Sequence, residues 1–428
     1  MRPRANGGKM LCSSNLIEAQ DASVIQSSSH YDVIVVGLGA LGAATLYQLS
    51  QRGARVLGID QFSPPHDQGS SHGDSRITRL AIGEGDEYVP FVQRSHAIWR
   101  ELESRTGKPL MTTTGGLILA PRDRVAEHHG KSDFVRRTIA CAERFGIAHE
   151  VLDAAGIRAR FPQFNLQGDE IGYFEHEAGF VRPEDAIDAQ LAVARDSGAQ
   201  TRTGERVEAV EPVGNGDTLR VRTATASFTA DRVVVAAGAW LPAFLGAQAR
   251  TDWQADFSVH RQVMHWFDTG SATADFAPGR FPIFIWMFGD GPEDYMYGFP
   301  ASDASQPALK VATEQYVAAT TPDTIDRSVS AEESAAMYRE RVAGRFPQIG
   351  GRAVKARACM YTVTPDRRFV IDALDGMPNL LVVSACSGHG FKHSAGLGDA
   401  IADHVLGRES TLDLSPFARR RLLEKVPA

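Results

Sequence analysis

Near the start of the chain, short runs of β-branched residues alternate with a segment in which apolar residues recur at helical spacing. Residues 31–36 form an apolar run of strand length, and apolar positions with helical spacing follow through Leu46 and Leu49. A second apolar run at residues 55–60 completes a strand, a helix and a strand of the size typical of a parallel crossover. The pattern therefore predicts an α/β domain that begins near residue 31.

The rest of the chain predicts two further kinds of structure. A polar loop rich in Pro, Gly, His and Ser follows at residues 62–75, and it is longer than a simple connection needs. Residues 252–355 contain short strands rich in aromatic residues, Gly and Pro, which favour a second, mainly antiparallel sheet. Other predicted elements are strands at 116–119, within 207–238, at 369–372 and at 380–384, and helices at 133–145, 184–197 and 394–406.

The composition excludes several classes of protein. The chain has 428 residues, of which 43% are hydrophobic, and this is enough for more than one core. With 52 acidic against 45 basic side chains the formal net charge is -7, so no overall positive field is available to bind nucleic acid. Apolar stretches at 33–49 and 233–247 are interrupted by Gly or Pro, so neither predicts a membrane span.

The cysteines and the first thirty residues add two expectations. The spacing of Cys12, Cys141, Cys359 and Cys386 matches no disulfide framework and no zinc site, so we expect a reducing, cytoplasmic location and no metal. Residues 1–30 lack the apolar segment of a secretion signal and end in a polar run. We therefore expect them to be a disordered extension.

A glycine fingerprint follows the first predicted strand and opens the helix. Asp60 ends the next strand, 18 residues after the last glycine of the fingerprint. In such a turn the first glycine allows the tight bend, the second lets the backbone approach a pyrophosphate, and the third lets helix and strand pack closely. The acidic residue accepts hydrogen bonds from ribose hydroxyls. The fingerprint predicts a dinucleotide site without distinguishing FAD from NAD, and it consists of Gly37, Leu38, Gly39, Ala40, Leu41 and Gly42.

Four later segments resemble the monomeric sarcosine oxidase and N-methyltryptophan oxidase family, within the D-amino-acid-oxidase class of flavoproteins. They lie in order at residues 64–90, 297–300, 359–372 and 387–392. The first contains the run Gly-Ser-Ser-His-Gly-Asp-Ser-Arg-Ile-Thr-Arg, and the last reads Ser-Gly-His-Gly-Phe-Lys. The resemblance extends from about residue 31 to residue 419.

The resemblance implies an α/β (α+β) fold of two domains. A Rossmann-like FAD-binding domain would contain an inserted, mainly antiparallel-sheet substrate domain. The FAD-binding domain would be discontinuous, with residues 31–115, 179–251 and 356–420. The substrate domain would comprise residues 116–178 and 252–355.

The resemblance also assigns roles to residues of the substrate pocket. Arg76 would lie against the flavin, and Arg79 with Lys392 would hold the substrate carboxylate, for which the guanidinium fork is suited. Because Arg76 and Arg79 are three positions apart, we expect them to face the same way on a helical turn. Tyr297 and Tyr361 would line the pocket.

Further residues would act on the flavin or on dioxygen. Cys359 matches a position that carries a thioether to the flavin 8α carbon, so covalent FAD is expected; an inert buried thiol is the alternative. Lys310 matches a lysine that activates dioxygen, with an exposed strand lysine as the alternative. Glu314 departs from the histidine of the family and changes the local charge. His389 matches an active-site histidine, and the other expected cofactor contacts are His72, Gly388, Gly390, Phe391 and Lys392.

The predicted function is an FAD-dependent oxidase of the secondary amine of an N-methyl amino acid, of the sarcosine or N-methyltryptophan type. The products would be the amino acid, formaldehyde and hydrogen peroxide. The expected partners are a small-molecule substrate and dioxygen, and the enzyme is expected to be a monomer. The alternatives are a flavin-dependent dehydrogenase or oxidase of another amino or imino acid, an NAD-dependent dehydrogenase, and a catalytically silent FAD-binding protein.

Overall fold

The structure, a computed structural model, describes residues 30–289, 291 and 293–424. The expected disordered extension therefore lies outside the described residues, except for His30, which begins the first strand. The strands are β1 (His30–Val36), β2 (Val56–Asp60), β3 (Arg76–Thr78), β4 (Met111–Thr113), β5 (Gly116–Pro121), β6 (His149–Leu152), β7 (Glu170–Glu175), β8 (Gly179–Val181), β9 (Gln200–Thr203), β10 (Val207–Val213), β11 (Thr218–Thr223), β12 (Ser227–Val235), β13 (Ser258–Asp268), β14 (Ile283–Met287), β15 (Tyr295–Phe299), β16 (Ala308–Ala312), β17 (Ala319–Thr320), β18 (Ala353–Val363), β19 (Val370–Leu374) and β20 (Met377–Ser384).

Ten α-helices are present among the described residues. They are α1 (Ala40–Gln51), α2 (Val89–Thr106), α3 (Phe134–Phe145), α4 (Ala154–Arg160), α5 (Pro183–Asp196), α6 (Leu241–Ala247), α7 (Thr251–Gln254), α8 (Ala331–Met337), α9 (Ser394–Val405) and α10 (Arg420–Leu423). None of the helices in this part of the chain is long and apolar enough to cross a lipid bilayer.

The strand β1 lies inside an eight-stranded sheet. It pairs in parallel with β2 and β12, and β9 and β20 extend this parallel part. Val33, Ile34 and Val35 of β1 are fully buried. A continuous apolar run suits such a strand because helices and loops cover both faces of a parallel sheet. The helix α1 packs against α5 and α9, and β10, β11 and β19 add antiparallel pairs.

A second sheet of nine strands contains the residues expected in the substrate domain. Its order is β17, β13, β16, β15, β14, β5, β7 and β6, with β18 beside β13, and all its pairs are antiparallel except β14 with β5. One of its faces packs on an aromatic core that includes Phe164, Phe281, Phe284, Trp286 and Phe346. A small third sheet contains β3, β8 and β4.

This architecture confirms the predicted α/β fold with a second, mainly antiparallel sheet. The helices predicted at 133–145, 184–197 and 394–406 are α3, α5 and α9, each within one residue at either end. The predicted domain boundary between residues 355 and 356 falls inside β18. That strand continues to Val363 in the second sheet because its pairing with β13 extends to Ser258.

Candidate active site

A large groove opens at the carboxyl ends of the parallel strands β1, β2 and β12. Its volume is about 480 Å³. Ligands of open α/β sheets bind at this edge, where the loops that follow the strands meet. The predicted cofactor residues in its wall are Gly37, Gly39, Ala40, Leu41, Asp60, Arg76, Gly388, Gly390 and Phe391.

The glycine turn after β1 is closed on one side and open on the other. Gly37 has φ +88°, and a Cβ added at Gly42 would lie 1.7 Å from the Gly37 carbonyl oxygen. A Cβ added at Gly39 would meet only Ser71 Oγ, at 3.8 Å. Gly42 therefore allows α1 to pack on the turn, and the open side at Gly39 leaves room for a phosphate at the N-terminus of α1.

Asp60 joins the turn to the end of β2. Its Oδ2 accepts a hydrogen bond from the Leu38 N–H at 2.7 Å, and its Oδ1 accepts one from the Phe62 N–H at 2.8 Å. Burial raises the pKa of Asp60, although these two donors favour the carboxylate. Leu38 and Gly42 do not line the groove, so their part is to hold the turn. A carboxylate oxygen has lone pairs to spare, and Asp60 can also accept from a ribose.

The polar loop at residues 62–75 covers one side of the groove and contains a buried histidine. His72 is 4% exposed, and its Nε2 has no hydrogen-bond partner among the described residues. Burial, reinforced by nearby Arg76, lowers the pKa of His72 to about 3, so the ring is neutral. His72 itself does not line the groove, although its neighbour Ser71 does.

Cys359 lies on β18, behind the groove rather than in its wall. Its Sγ is 3.9 Å from Arg76 Nη2 and 3.7 Å from the Ser70 carbonyl oxygen. Burial raises the pKa of this thiol, and the Arg76 guanidinium opposes that change. Arg76 and Ser70 both line the groove, whereas Cys359 does not, and Cys386, which has no assigned role, does.

A second cavity of about 60 Å³ adjoins the groove. Four residues line both spaces, and they are Arg76, Tyr361, Gly388 and Phe391. A cofactor in the groove and a small molecule in the cavity would meet at this shared wall. The other predicted residues that line the cavity are Arg79, Tyr297, Lys310, His389 and Lys392.

No helical turn relates Arg76 and Arg79, contrary to the expectation from their spacing, although both line the small cavity. Arg76 begins strand β3 and Arg79 follows its end. Arg76 donates to the Ser70 carbonyl at 2.8 Å, beside the groove. Arg79 is 1% exposed and donates to Glu84 Oε2 at 2.7 Å.

Glu84 lies between two cations in the small cavity. Besides its ion pair with Arg79, its Oε1 is 3.8 Å from Lys392 Nζ. Burial would raise the pKa of Glu84, but Arg79 and Lys392 outweigh it and hold that pKa well below its usual range. Burial lowers the pKa of Lys392 to about 8, against the attraction of Glu84. The two cations predicted to hold a carboxylate therefore converge on one in this structure.

Lys310 is buried on β16, which excludes the alternative of an exposed strand lysine. Its Nζ donates to the carbonyls of Gly73 at 2.6 Å and Ser75 at 2.8 Å. The ammonium also lies 4.3 Å from the centre of the Phe299 ring. Burial, with a further contribution from Arg76, holds the pKa of Lys310 well below its usual range.

Two tyrosines and a histidine complete the predicted set. The hydroxyls of Tyr297 and Tyr361 are 3.1 Å apart, and burial raises the pKa of both. The His389 ring stacks on Phe369 with 4.8 Å between ring centres, and its Nε2 is 3.1 Å from the Arg367 carbonyl oxygen. Burial lowers the pKa of His389 to about 3, so this ring is neutral.

A second carboxylate cluster was missed by the sequence reasoning. His129 Nδ1 is 3.1 Å from Glu84 Oε1, and its Nε2 is 3.0 Å from Glu314 Oε2. Glu314 also accepts hydrogen bonds from the hydroxyls of Tyr295 and Tyr316. The sequence shows that Glu314 replaces the histidine of the family and so changes the local charge. Nothing in the spacing of residues along the chain indicates that His129 is the partner of Glu314. Ligand atoms of His128, His129 and Glu314 lie within 4.8 Å of one another, and the ion pair and hydrogen bonds account for this arrangement without a metal.

A family model described as FAD dependent oxidoreductase matches residues 32–404. The chain belongs to this family of FAD-dependent oxidoreductases. Monomeric sarcosine oxidase of Streptomyces avermitilis is 39% identical over 397 residues, which cover 92% of this chain and 98% of that protein. N-methyl-L-tryptophan oxidase of Salmonella dublin is 33% identical, over 91% of this chain and 99% of that protein.

A solved structure gives the same fold. The open form of NikD, described as an unusual amino acid oxidase essential for nikkomycin biosynthesis, superposes with a TM-score of 0.76. The two chains are 22% identical, and the match covers 91% of this chain and 98% of NikD. The cofactor of this oxidoreductase is FAD. The groove fits it, since the turn is open at Gly39 and the Asp60 carboxylate lies in the wall of the groove.

Proposed function

We propose that this FAD-dependent oxidoreductase is an oxidase of a small N-methyl amino acid such as sarcosine. The reaction consumes the secondary amine, dioxygen and water, and it yields the amino acid, formaldehyde and hydrogen peroxide. When bound, FAD accepts two electrons and hydrogen from the C–H bond beside the amine. The protein contributes binding, orientation and electrostatics.

The small cavity that holds Arg79 and Lys392 beside the groove carries this proposal. Both cations lie in a wall away from water, where a substrate carboxylate gains a strong, directed interaction. The shared wall of Arg76, Tyr361, Gly388 and Phe391 turns the amine end of such a substrate towards the cofactor. The relatives named sarcosine oxidase and N-methyl-L-tryptophan oxidase support the same substrate class.

The size of the cavity favours sarcosine over an N-methyl amino acid with an indole. Its volume is about 60 Å³. On that scale one water needs roughly 10 to 15 Å³, so the cavity accepts only a few water-sized groups. An indole side chain would require the walls to move.

We propose further that FAD is attached through Cys359. Burial raises the pKa of the Cys359 thiol, but the neighbouring Arg76 guanidinium opposes that rise and favours the thiolate, which is the nucleophilic form of a cysteine. We also propose that Lys310 stabilises negative charge as dioxygen is reduced, because a buried lysine that lines the small cavity is a preorganised donor.

We expect the enzyme to act as a monomer in the cytoplasm. The relative named monomeric sarcosine oxidase supports the expectation of a monomer. The described cysteines Cys141, Cys359 and Cys386 are free thiols, as suits a reducing compartment.

Anaerobic mixing with a panel of amino acids tests the substrate proposal. The purified yellow protein is mixed with sarcosine, N-methyl-L-tryptophan, L-proline or glycine, and the absorbance of the oxidised flavin is followed. Glycine is the matched control, since it has the same carboxylate and lacks the N-methyl group. Sarcosine is expected to bleach the flavin fastest. Failure of all four compounds, or equal bleaching by glycine, would contradict the proposed function.

A further inference from the structure

The small cavity contains a chain of buried charged groups that extends from Arg79 to residues without a role in the proposed function. Arg79 bonds Glu84, Glu84 bonds His129, and His129 bonds Glu314. All four side chains are almost completely buried. An added Cβ at Gly388, which lines both cavities, would lie 3.0 Å from both His129 Nε2 and Glu314 Oε1. The chain of charges therefore reaches the wall that faces the cofactor.

His129 is positively charged in this setting. Burial alone would lower the pKa of His129, but Glu314 and Glu84 outweigh burial and raise it above its usual value. Each ring nitrogen faces a carboxylate oxygen at 3.0 to 3.1 Å, and only an imidazolium donates from both nitrogens. Burial would raise the pKa of Glu314, yet His129 and the tyrosine hydroxyls lower it to about 2.

The carboxylate end of the cavity then has more positive than negative groups. Arg79, Lys392 and His129 are cations, while Glu84 and Glu314 are anions, so one positive charge is in surplus. Arg76 and Lys310 also line this cavity and bond backbone carbonyls, and Arg76 adds a further positive charge. A neutral His129 would lower the surplus by one charge.

The surplus charge decides which ionic form of an amino acid the pocket prefers. A zwitterion has no net charge, whereas the form with a neutral amine is an anion and offsets part of the surplus. The neutral amine is also the form with a free lone pair, and an ammonium has none. Taking an uncompensated charge out of water is costly, so the complex with the anion is preferred.

We propose that His129, held between Glu84 and Glu314, is a positioning residue that makes the pocket bind its N-methyl amino acid as the anion with a neutral amine. The inference rests on the proposed function, in which Arg79 and Lys392 bind the substrate carboxylate. Glu84 contacts Arg79, His129 and Lys392, so it competes with that carboxylate for Arg79 and Lys392.

The His129 ring is surrounded by groups that could also influence a pH profile. His128 stacks against it with 3.8 Å between ring centres, and burial holds the pKa of His128 well below its usual range. His389 lies 5.2 Å away and is neutral for the same reason. The titratable and charged groups that face His129 directly or through its partners are Glu84, Glu314, His128, His389, Tyr295, Tyr316, Arg79 and Lys392.

Propionate, a carboxylate without an amine, probes the charge balance at pH 7. Its binding to the holoenzyme is measured from the change in the flavin absorbance spectrum. His129→Gln keeps a hydrogen-bond donor but removes the positive charge. This variant is expected to lower the affinity for propionate by about tenfold or more. The double variant with Glu314→Gln removes one charge of each sign and is expected to recover most of that loss. His128→Gln is the matched control for the loss of a buried imidazole, and Glu314→Gln is not expected to rescue it.

The pH dependence of anaerobic flavin reduction by sarcosine gives a second readout. The half-maximal pH is expected to rise by about one unit in His129→Gln, since a tenfold loss of preference for the anion corresponds to one pKa unit. Wild-type propionate affinity in His129→Gln, or a double variant weaker than His129→Gln, would overturn the inference. A wild-type enzyme that binds no propionate and is not reduced by sarcosine would instead overturn the proposed function.

Discussion

Replacing Gly42 with alanine is expected to destabilise the protein without touching the cofactor. The added Cβ would lie 1.7 Å from the Gly37 carbonyl oxygen and 2.7 Å from the Gly37 carbonyl carbon. Non-bonded atoms of this kind sit about 3.5 to 4.0 Å apart, so α1 and the turn must separate. Overpacking lowers the free energy of unfolding by roughly 1 to 3 kcal/mol. We expect about 3 kcal/mol here, because the added Cβ would overlap two backbone atoms. The midpoint of thermal unfolding should fall by about 3 °C, because the unfolding of 428 residues carries an entropy of roughly 0.9 kcal/mol/K.

Gly39→Ala is the matched control, three positions away in the same turn. Its Cβ would contact only Ser71 Oγ, at 3.8 Å, and the backbone φ of −69° suits alanine. Both variants are made in a Cys359→Ser background to allow removal of FAD, and unfolding of the apoprotein is followed by circular dichroism. The free energy of unfolding of Gly39→Ala should lie within about 0.5 kcal/mol of that of its parent. This variant should nevertheless rebind FAD more weakly, because its methyl group enters the groove. If the Gly42→Ala protein and its parent unfold at the same midpoint temperature, the packing argument is refuted.

Three further predictions concern chemistry. In Cys359→Ser, acid should release the flavin from the protein, and a variant precipitate that stays yellow would exclude the thioether. Lys310→Met should slow reoxidation by dioxygen by about a hundredfold, as loss of a preorganised charge does, while reduction by sarcosine changes little; stopped-flow traces with equal slowing of both steps would remove the lysine from the oxygen role. Propionate should bind more weakly as the pH rises through about 8, where Lys392 loses its proton, and a flat titration would contradict a charged Lys392 in the carboxylate site.

Local patterns predicted most of the fold because each depends on residues close in sequence. The β-branched run in β1, the glycine turn and the apolar spacing of α1 lie within about twenty consecutive residues. The ends of the strands in the second sheet were predicted less accurately from the sequence, and β18 extends across a predicted domain boundary. Strand pairing between distant segments decides where such a strand ends, and β18 follows β13 to its full length.

The candidate site was predicted unevenly for a similar reason. The resemblance indicated Arg79 and Lys392 together, and the structure brings them to the same cavity. It did not indicate that Glu84 pairs with both, since a motif specifies residue types and not which of them touch. The spacing of Arg76 and Arg79 predicted one face of a helical turn, whereas the structure has a three-residue strand there, and both side chains still line the small cavity.

The sequence by itself determined the dinucleotide turn, the α/β class, the family and most of the residues around the cavity. Only the tertiary structure decided the charge of that cavity, because His129 meets Glu84 across 45 positions and Glu314 across 185. Burial lowers the pKa of Lys392 to about 8, whereas His129 outweighs burial and brings the pKa of Glu314 to about 2. Charge in a protein interior depends on which groups meet out of contact with water, and only the folded chain brings these together.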